Sequence, residues 1–158
     1  MTALGAVEAS GLGQAMRQWL WLYPAVETAH IAGIALLFGS IAVLDLRLLG
    51  FSRSISVRRL SSHVLPWTAA SFALIVPSGL MMFVAHASEF IASPVFALKM
   101  GLIFAAGVNA AVFHAGIFRS SKNWELDVAP PAAARAAGAV SLVLWLCVIA
   151  CGRLLAYF

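Results

Sequence analysis

The chain has 158 residues, of which 63% are hydrophobic and only 10% charged, and its net charge is +4. Soluble domains carry about a quarter charged residues, so with a mean hydropathy of +0.97 the composition points away from a soluble enzyme. The basic excess does not indicate a nucleic-acid partner, because in a membrane protein Lys and Arg set topology. At this length one transmembrane domain fills residues 1–158 and leaves no room for a separate soluble domain.

The opening M-T-A-L-G-A-V-E-A-S lacks a basic stretch, so a cleaved signal peptide is not expected. Residues 5–18 allow a short interfacial helix, weakened by three glycines. Four apolar stretches then follow, over about 19–49, 62–85, 94–118 and 132–158. Each reaches the roughly 20 residues that a spanning helix requires. Trp19, Trp21 and Tyr23 open the first stretch as an interfacial aromatic run. Pro77 and Gly79 are expected to kink the second, which membrane helices tolerate when neighbours satisfy the freed backbone groups. Cys147 and Cys151 lie four apart on one helical segment, a poor disulfide geometry, and read as packing thiols.

Arg47, Arg53, Arg58 and Arg59 surround the first connection, and Arg119, Lys122 and Arg135 surround the third. The middle connection, H-A-S-E-F-I-A-S, has no Lys or Arg. The positive-inside rule then makes the first and third connections cytoplasmic and places both termini outside. The expected fold is an all-α membrane protein, an up-down-up-down bundle of four transmembrane helices in a bacterial inner membrane, with sites built from facing helices.

Four histidines sit in or at the ends of these stretches, and an ionisable side chain kept in a bilayer needs a partner or a function. His30 lies seven residues past Tyr23, roughly 10 Å into the span. His86 ends the second span on the same side. His63 opens that span at the inner face, and His114 lies four residues before Phe118, also at the inner face. Pairings of His30 with His86 and of His63 with His114 would serve bis-histidine haem b at two depths. Gly79, Gly33 and the Gly107–Ala110–Ala111 face beside His114 would leave room for a flat ring, although small residues equally serve close helix packing. Histidines at span ends, His63 and His86, also have a plain reading as hydrated interfacial residues. His30 and His114 have one as cross-helix hydrogen-bonding groups.

Glu27 precedes His30 by three residues, a spacing found in carboxylate-bridged metal sites of helical bundles. Such sites need more carboxylates than this chain supplies, so a copper or zinc site at Glu27, His30 and His114 is the metal alternative. Glu27 and Asp45 are 18 residues apart, about five turns, and form a polar stripe on the first helix that suits a proton or ion relay. Lys99 and Arg153 are expected beside Glu27, as its ion-pair partners or as holders of haem propionates. Asp45 and Arg47 are expected to pair with cytoplasmic neighbours, including Arg58 or Arg59.

The chain resembles an uncharacterised family of small bacterial four-helix membrane proteins. The resemblance is carried by W-L-Y-P-x-x-E-x-x-H (Trp21, Tyr23, Pro24, Glu27, His30) and by D-L-R-L-L-G from Asp45 to Gly50. Lys99, Asn109, Phe113 and His114 add to it in the third span, as do Ser141, Leu142, Trp145, Gly152 and Arg153 in the fourth. It implies no activity. A looser architectural likeness, to b-type membrane cytochromes such as the cytochrome b561 group, implies haem ligation by histidine. No phosphate-binding loop, H-E-x-x-H or C-x-x-C is present.

The sequence therefore predicts an electron carrier or subunit rather than a stand-alone enzyme, binding haem b through His30, His86, His63 and His114 with Lys99 and Arg153. An ion translocator, a metal-binding protein and a partner subunit of a larger membrane complex are the alternatives. A redox partner follows from the first reading. Small residues at Gly101, Ala105 and Asn109 and at Gly138, Ser141 and Gly152 predict a homo-oligomer.

Overall fold

A computed structural model describes residues 3–155 and Tyr157, and these are helical with no strand. Two short helices come first, α1 (Ala3–Glu8) and α2 (Gly11–Gln18). The Ser10 hydroxyl starts α2 by accepting from the Gly13 N–H at 3.2 Å, one of the four donors a helix start leaves without a partner. The long helices are α3 (Leu22–Leu49), α4 (Val57–Ala85), α6 (Pro94–Ala115) and α7 (Ala132–Leu154), with the short α5 (Ala87–Ala92) between α4 and α6. A 3-10 helix over Ile117–Trp124 precedes α7.

All four long helices are long and apolar enough to cross a membrane. The 28 residues of α3 rise roughly 40 Å, more than the roughly 30 Å hydrocarbon core. Gly50 ends α3 at φ 104°, a left-handed conformation that glycine adopts without a Cβ clash. Ser56 caps α4, accepting from the Arg59 N–H at 3.2 Å, so this helix begins five residues before the apolar stretch does. The helix runs through Pro66 and Pro77. Ser93 caps α6 and Pro94 occupies its first turn, where a missing N–H leaves no bond unmade. Gly116 ends α6 three residues earlier than the apolar pattern predicts.

The helices run alternately up and down, but they do not close into a ring. Packing neighbours follow the order α4, α3, α7, α6. A closed bundle would also bring α4 against α6. Among the described residues their backbones make no close approach, and they are joined at their ends, through α5 and the 3-10 helix and by side chains such as Phe83 on Phe96. A cleft therefore runs lengthwise between them.

Two small cores hold the ends. At the end bearing the 50–56 connection, Leu44, Leu48, Val57, Val64, Phe113, Trp124 and Ala134 are buried together. At the opposite end Met16, Val26 and Ala85 pack with Leu22, Tyr23, Met81 and Met82. Outward faces carry Phe104, Val112, Val143 and Leu80 exposed, an apolar surface of the extent expected against lipid.

Close approaches shape the middle. A Cβ at Gly33 would meet the Ile75 Cγ1 at 2.8 Å, and one at Gly138 would meet the Asp45 carbonyl oxygen and the Leu48 Cβ at 3.1 Å each. Glycine at these two points lets α3 lie against α4 on one side and α7 on the other.

Candidate functional site

The cleft widens into two cavities. The upper one, toward α1, α2 and α5, has a volume of about 490 Å³ and includes His30 and Lys99 in its lining. The lower one is about 350 Å³ and includes Asp45, Asn109, His114 and Ser141. Phe72, Ile103 and Trp145 border both and separate them. These volumes fall within the roughly 300–1,000 Å³ of small-molecule sites, and mostly apolar walls with a few converging polar groups are what such sites show.

His30 is placed by α4. Its Nδ1 lies 2.9 Å from the Ser78 Oγ, and that hydroxyl donates its hydrogen to the Leu74 carbonyl. A hydroxyl has one hydrogen, so toward His30 the Ser78 oxygen accepts and Nδ1 carries the proton. The ring nitrogen left for a ligand is Nε2, with a free lone pair. Gly79 stands beside it: a Cβ there would come within 3.2 Å of the His30 Cε1.

His114 reaches the same tautomer by another route. Its Nδ1 lies 2.9 Å from the Ala110 carbonyl oxygen, which only accepts, so Nδ1 donates. Its Nε2 is buried without a hydrogen-bond partner. Among the residues lining the same cavity the Asp45 Oδ2 is also buried and unpartnered. Asn109 donates to the Ala137 carbonyl at 3.1 Å, tying α6 to α7.

The two histidine pairings read from the sequence are not formed. His30 is level with Ser78 and Gly79 on α4. His86 is level with Tyr23, whose ring it meets edge-on at 5.9 Å. Seven residues separate the two levels on either helix, roughly 10 Å of rise. His86 instead ends α4 and lies 3.3 Å from the Glu89 carboxylate. His63 is exposed on α4 and lies outside the lining of the lower cavity, so it does not join His114. Consecutive residues on a helix point about 100° apart, and Val64 faces inward in its place.

The ion pairs expected for Glu27 are likewise not formed. Glu27 is exposed. Lys99 lines the upper cavity, its Nζ 3.6 Å from where a Cβ on Gly152 would stand, and Arg153 donates to the Tyr157 hydroxyl and lies over that ring. Among the described residues the one ion pair within contact distance is His86 with Glu89. Glu27 and Asp45 share a helix face, yet α7 covers only the Asp45 end, so the stripe is not continuous inside the protein. No group of three or more metal-ligating side chains occurs among the described residues, and Glu27, His30 and His114 are not gathered at one point.

Arg47 also has a different role from the expected carboxylate pairing. It is 1% exposed, and its guanidinium donates to the carbonyls of Ile55 at 2.7 Å and Glu125 at 3.0 Å. It thereby fastens the first connection to the third. Ser56 adds a bond to the Glu125 carboxylate at 2.6 Å. At the opposite end Glu8 accepts from the Ser88 N–H at 2.7 Å and from its hydroxyl. These two bonds hold the Glu8 carboxyl below its ordinary 4.5. Arg17 donates to the Ala85 carbonyl at 2.7 Å, so α1 and α2 clamp the junction of α4 and α5.

Sequence reasoning missed Ser78, although a hydroxyl between Pro77 and Gly79 on the face opposite His30 is a readable signal once α3 and α4 are paired. Comparison with family models, with curated proteins and with solved structures finds no match for this chain.

Proposed function

We propose that this chain is a membrane-embedded electron-transfer protein that binds haem b in the upper cavity, where His30 would hold the group through Nε2. The observation that carries the reading is the His30–Ser78 contact on the wall of a 490 Å³ apolar cavity. Metal-ligating histidines characteristically donate the other ring N–H to an acceptor that fixes the tautomer, and Ser78 is placed to do this. Gly79 keeps the imidazole free of a side chain beneath it. Lys99 supplies the cation that haem propionates require within the same cavity. Phe83, Phe90 and Phe96, stacked at centroid distances of 5.4 to 6.3 Å, close the cleft above and limit access of water. Haem, when bound, supplies an iron that accepts and releases one electron.

The arginine-rich end, with Arg47, Arg53, Arg58, Arg59, Arg119, Lys122 and Arg135, is proposed to face the cytoplasm of a bacterial inner membrane, both chain termini facing outward. The likeness to small bacterial four-helix membrane proteins rests on its motif residues, and His30 stands in the most specific of them. With one imidazole in the upper cavity, the reading differs from bis-histidine ligation in a measurable way. Titration of hemin into the purified protein should give a Soret band that shifts on dithionite reduction, and the reduced form should bind carbon monoxide. A reduced protein with no reaction toward carbon monoxide would restore a second strong ligand and contradict this ligand set. Failure of hemin to bind at all would remove the haem reading itself.

A further inference from the structure

The lower cavity contains a pattern that the haem reading leaves unused, and from it we infer that this cavity binds a membrane-soluble hydroquinone through Asp45 and His114. The inference concerns binding alone and stands whether or not the upper cavity takes haem.

Two polar atoms in this cavity's lining residues are buried without partners: the Asp45 Oδ2 and the His114 Nε2. Asp45 is 4% exposed. A buried polar group is ordinarily hydrogen-bonded, and leaving it unsatisfied is costly, so each points to an occupant. Both atoms present lone pairs. An ionised Asp45 accepts only, and His114 has already given its N–H to the Ala110 carbonyl. The two therefore cannot satisfy each other in this form, and the occupant must bring hydrogen-bond donors, at least two of them.

Position narrows the choice. Asn109 binds the Ala137 carbonyl, and the adjoining Gly138 abuts the Asp45 backbone, so Asn109 marks the level of Asp45 on α6. His114 lies five residues further along, roughly 7 Å of rise. No group of three metal-ligating side chains is present among the described residues. The para hydroxyls of a hydroquinone leave opposite edges of one ring, and each adds about 2.7 Å of hydrogen-bond reach. The remaining wall suits a flat ring. Phe113 and Trp145 border the space, and a Cβ at Gly107 would meet nothing within 4 Å. Ordered water would need two to four polar partners per molecule, which this largely apolar lining does not supply across its volume. The α4 and α6 backbones stay apart along their length, and this gap gives an apolar tail a lateral path toward lipid.

The test uses the full chain in lipid nanodiscs and two probes: a decyl-substituted benzohydroquinone kept reduced, and its dimethyl ether, which keeps the ring and tail but has no donor. Equilibrium titration should give at least about tenfold tighter binding of the hydroquinone. Asp45→Asn and His114→Phe should each reduce hydroquinone affinity about tenfold while leaving ether affinity unchanged, and the ether thereby reports that the variants are folded. Equal affinity of the parent protein for the two probes, or binding of neither, would overturn the inference. So would variants that keep the parent's preference for the hydroquinone.

Discussion

His30 and His114 owe their chemical character to what their Nδ1 atoms touch. In each a neighbouring oxygen accepts a hydrogen bond from the Nδ1–H, and the unprotonated nitrogen is Nε2. Ser78→Ala removes that acceptor from His30 without touching the cavity's volume from the ligand side. It is expected to weaken hemin binding about 10- to 100-fold with little change in unfolding temperature, measured by hemin titration beside circular dichroism. Arg47→Ala is expected to do the opposite. It leaves the Ile55 and Glu125 carbonyls short of a charged donor, each such bond being worth about 1.5–3 kcal/mol. The unfolding midpoint should fall by several degrees. The ionisable residues inside the spans are legible in the sequence, and their partners are not. Glu27, Lys99 and Arg153 lie at similar depth, and depth alone does not say whether α7 or open surface stands opposite Glu27.

At the scale of elements, glycine at two crossings sets how closely α3 can be approached. Gly33→Leu drives a side chain into Ile75 on α4, and Gly138→Val drives one into Asp45 and Leu48. Overpacking of this kind costs about 1–3 kcal/mol, and for a chain of this size each kcal/mol lowers the melting temperature by roughly 2–4 °C. Gly101→Leu, where a Cβ meets nothing within 4 Å, should leave the melting curve in place and serves as the control. The N-terminal clamp has its own signature. Glu8 has a lowered carboxyl pKa, caused first by the Ser88 hydroxyl and then by the Ser88 N–H. Its contribution is therefore fully present above the ordinary 4.5 and is lost as pH falls through the lowered value. Hydrogen exchange in α1 and α2 should rise as the pH is lowered below the ordinary 4.5 and through the lowered value, and should already be high at neutral pH in Glu8→Gln. Boundaries were legible where caps are written in the chain. Hydropathy missed the first turn of α4 because Arg58 and Arg59 lie in it, whereas Ser56 marks it.

For the whole molecule the four spans are readable from composition, and their neighbour order is not. A gap between α4 and α6 depends on how side chains fill three dimensions, and no periodicity reports it. Of the small residues behind the expected homo-oligomer, Asn109, Gly138 and Gly152 meet groups of the same chain, while a Cβ at Gly101 would meet nothing within 4 Å. Light scattering in mild detergent tests the oligomer, and a monomer mass alone would contradict it. The proposed orientation is checked by cysteine labelling in a Cys147→Ser, Cys151→Ser background. Trp19→Cys should react with an impermeant maleimide in intact spheroplasts, and Asp127→Cys only after lysis. The reverse pattern would invert the topology and place the upper cavity near the cytoplasm.

The account turns on haem at His30, and haem content per protein measures it most directly. The parent and four single variants, each histidine to alanine, are expressed with haem supplied and purified side by side. The prediction is a pigmented parent, loss of haem in His30→Ala, and near-parental content in His63→Ala, His86→Ala and His114→Ala. A colourless parent, or a His30→Ala variant that keeps its full haem content, would contradict it.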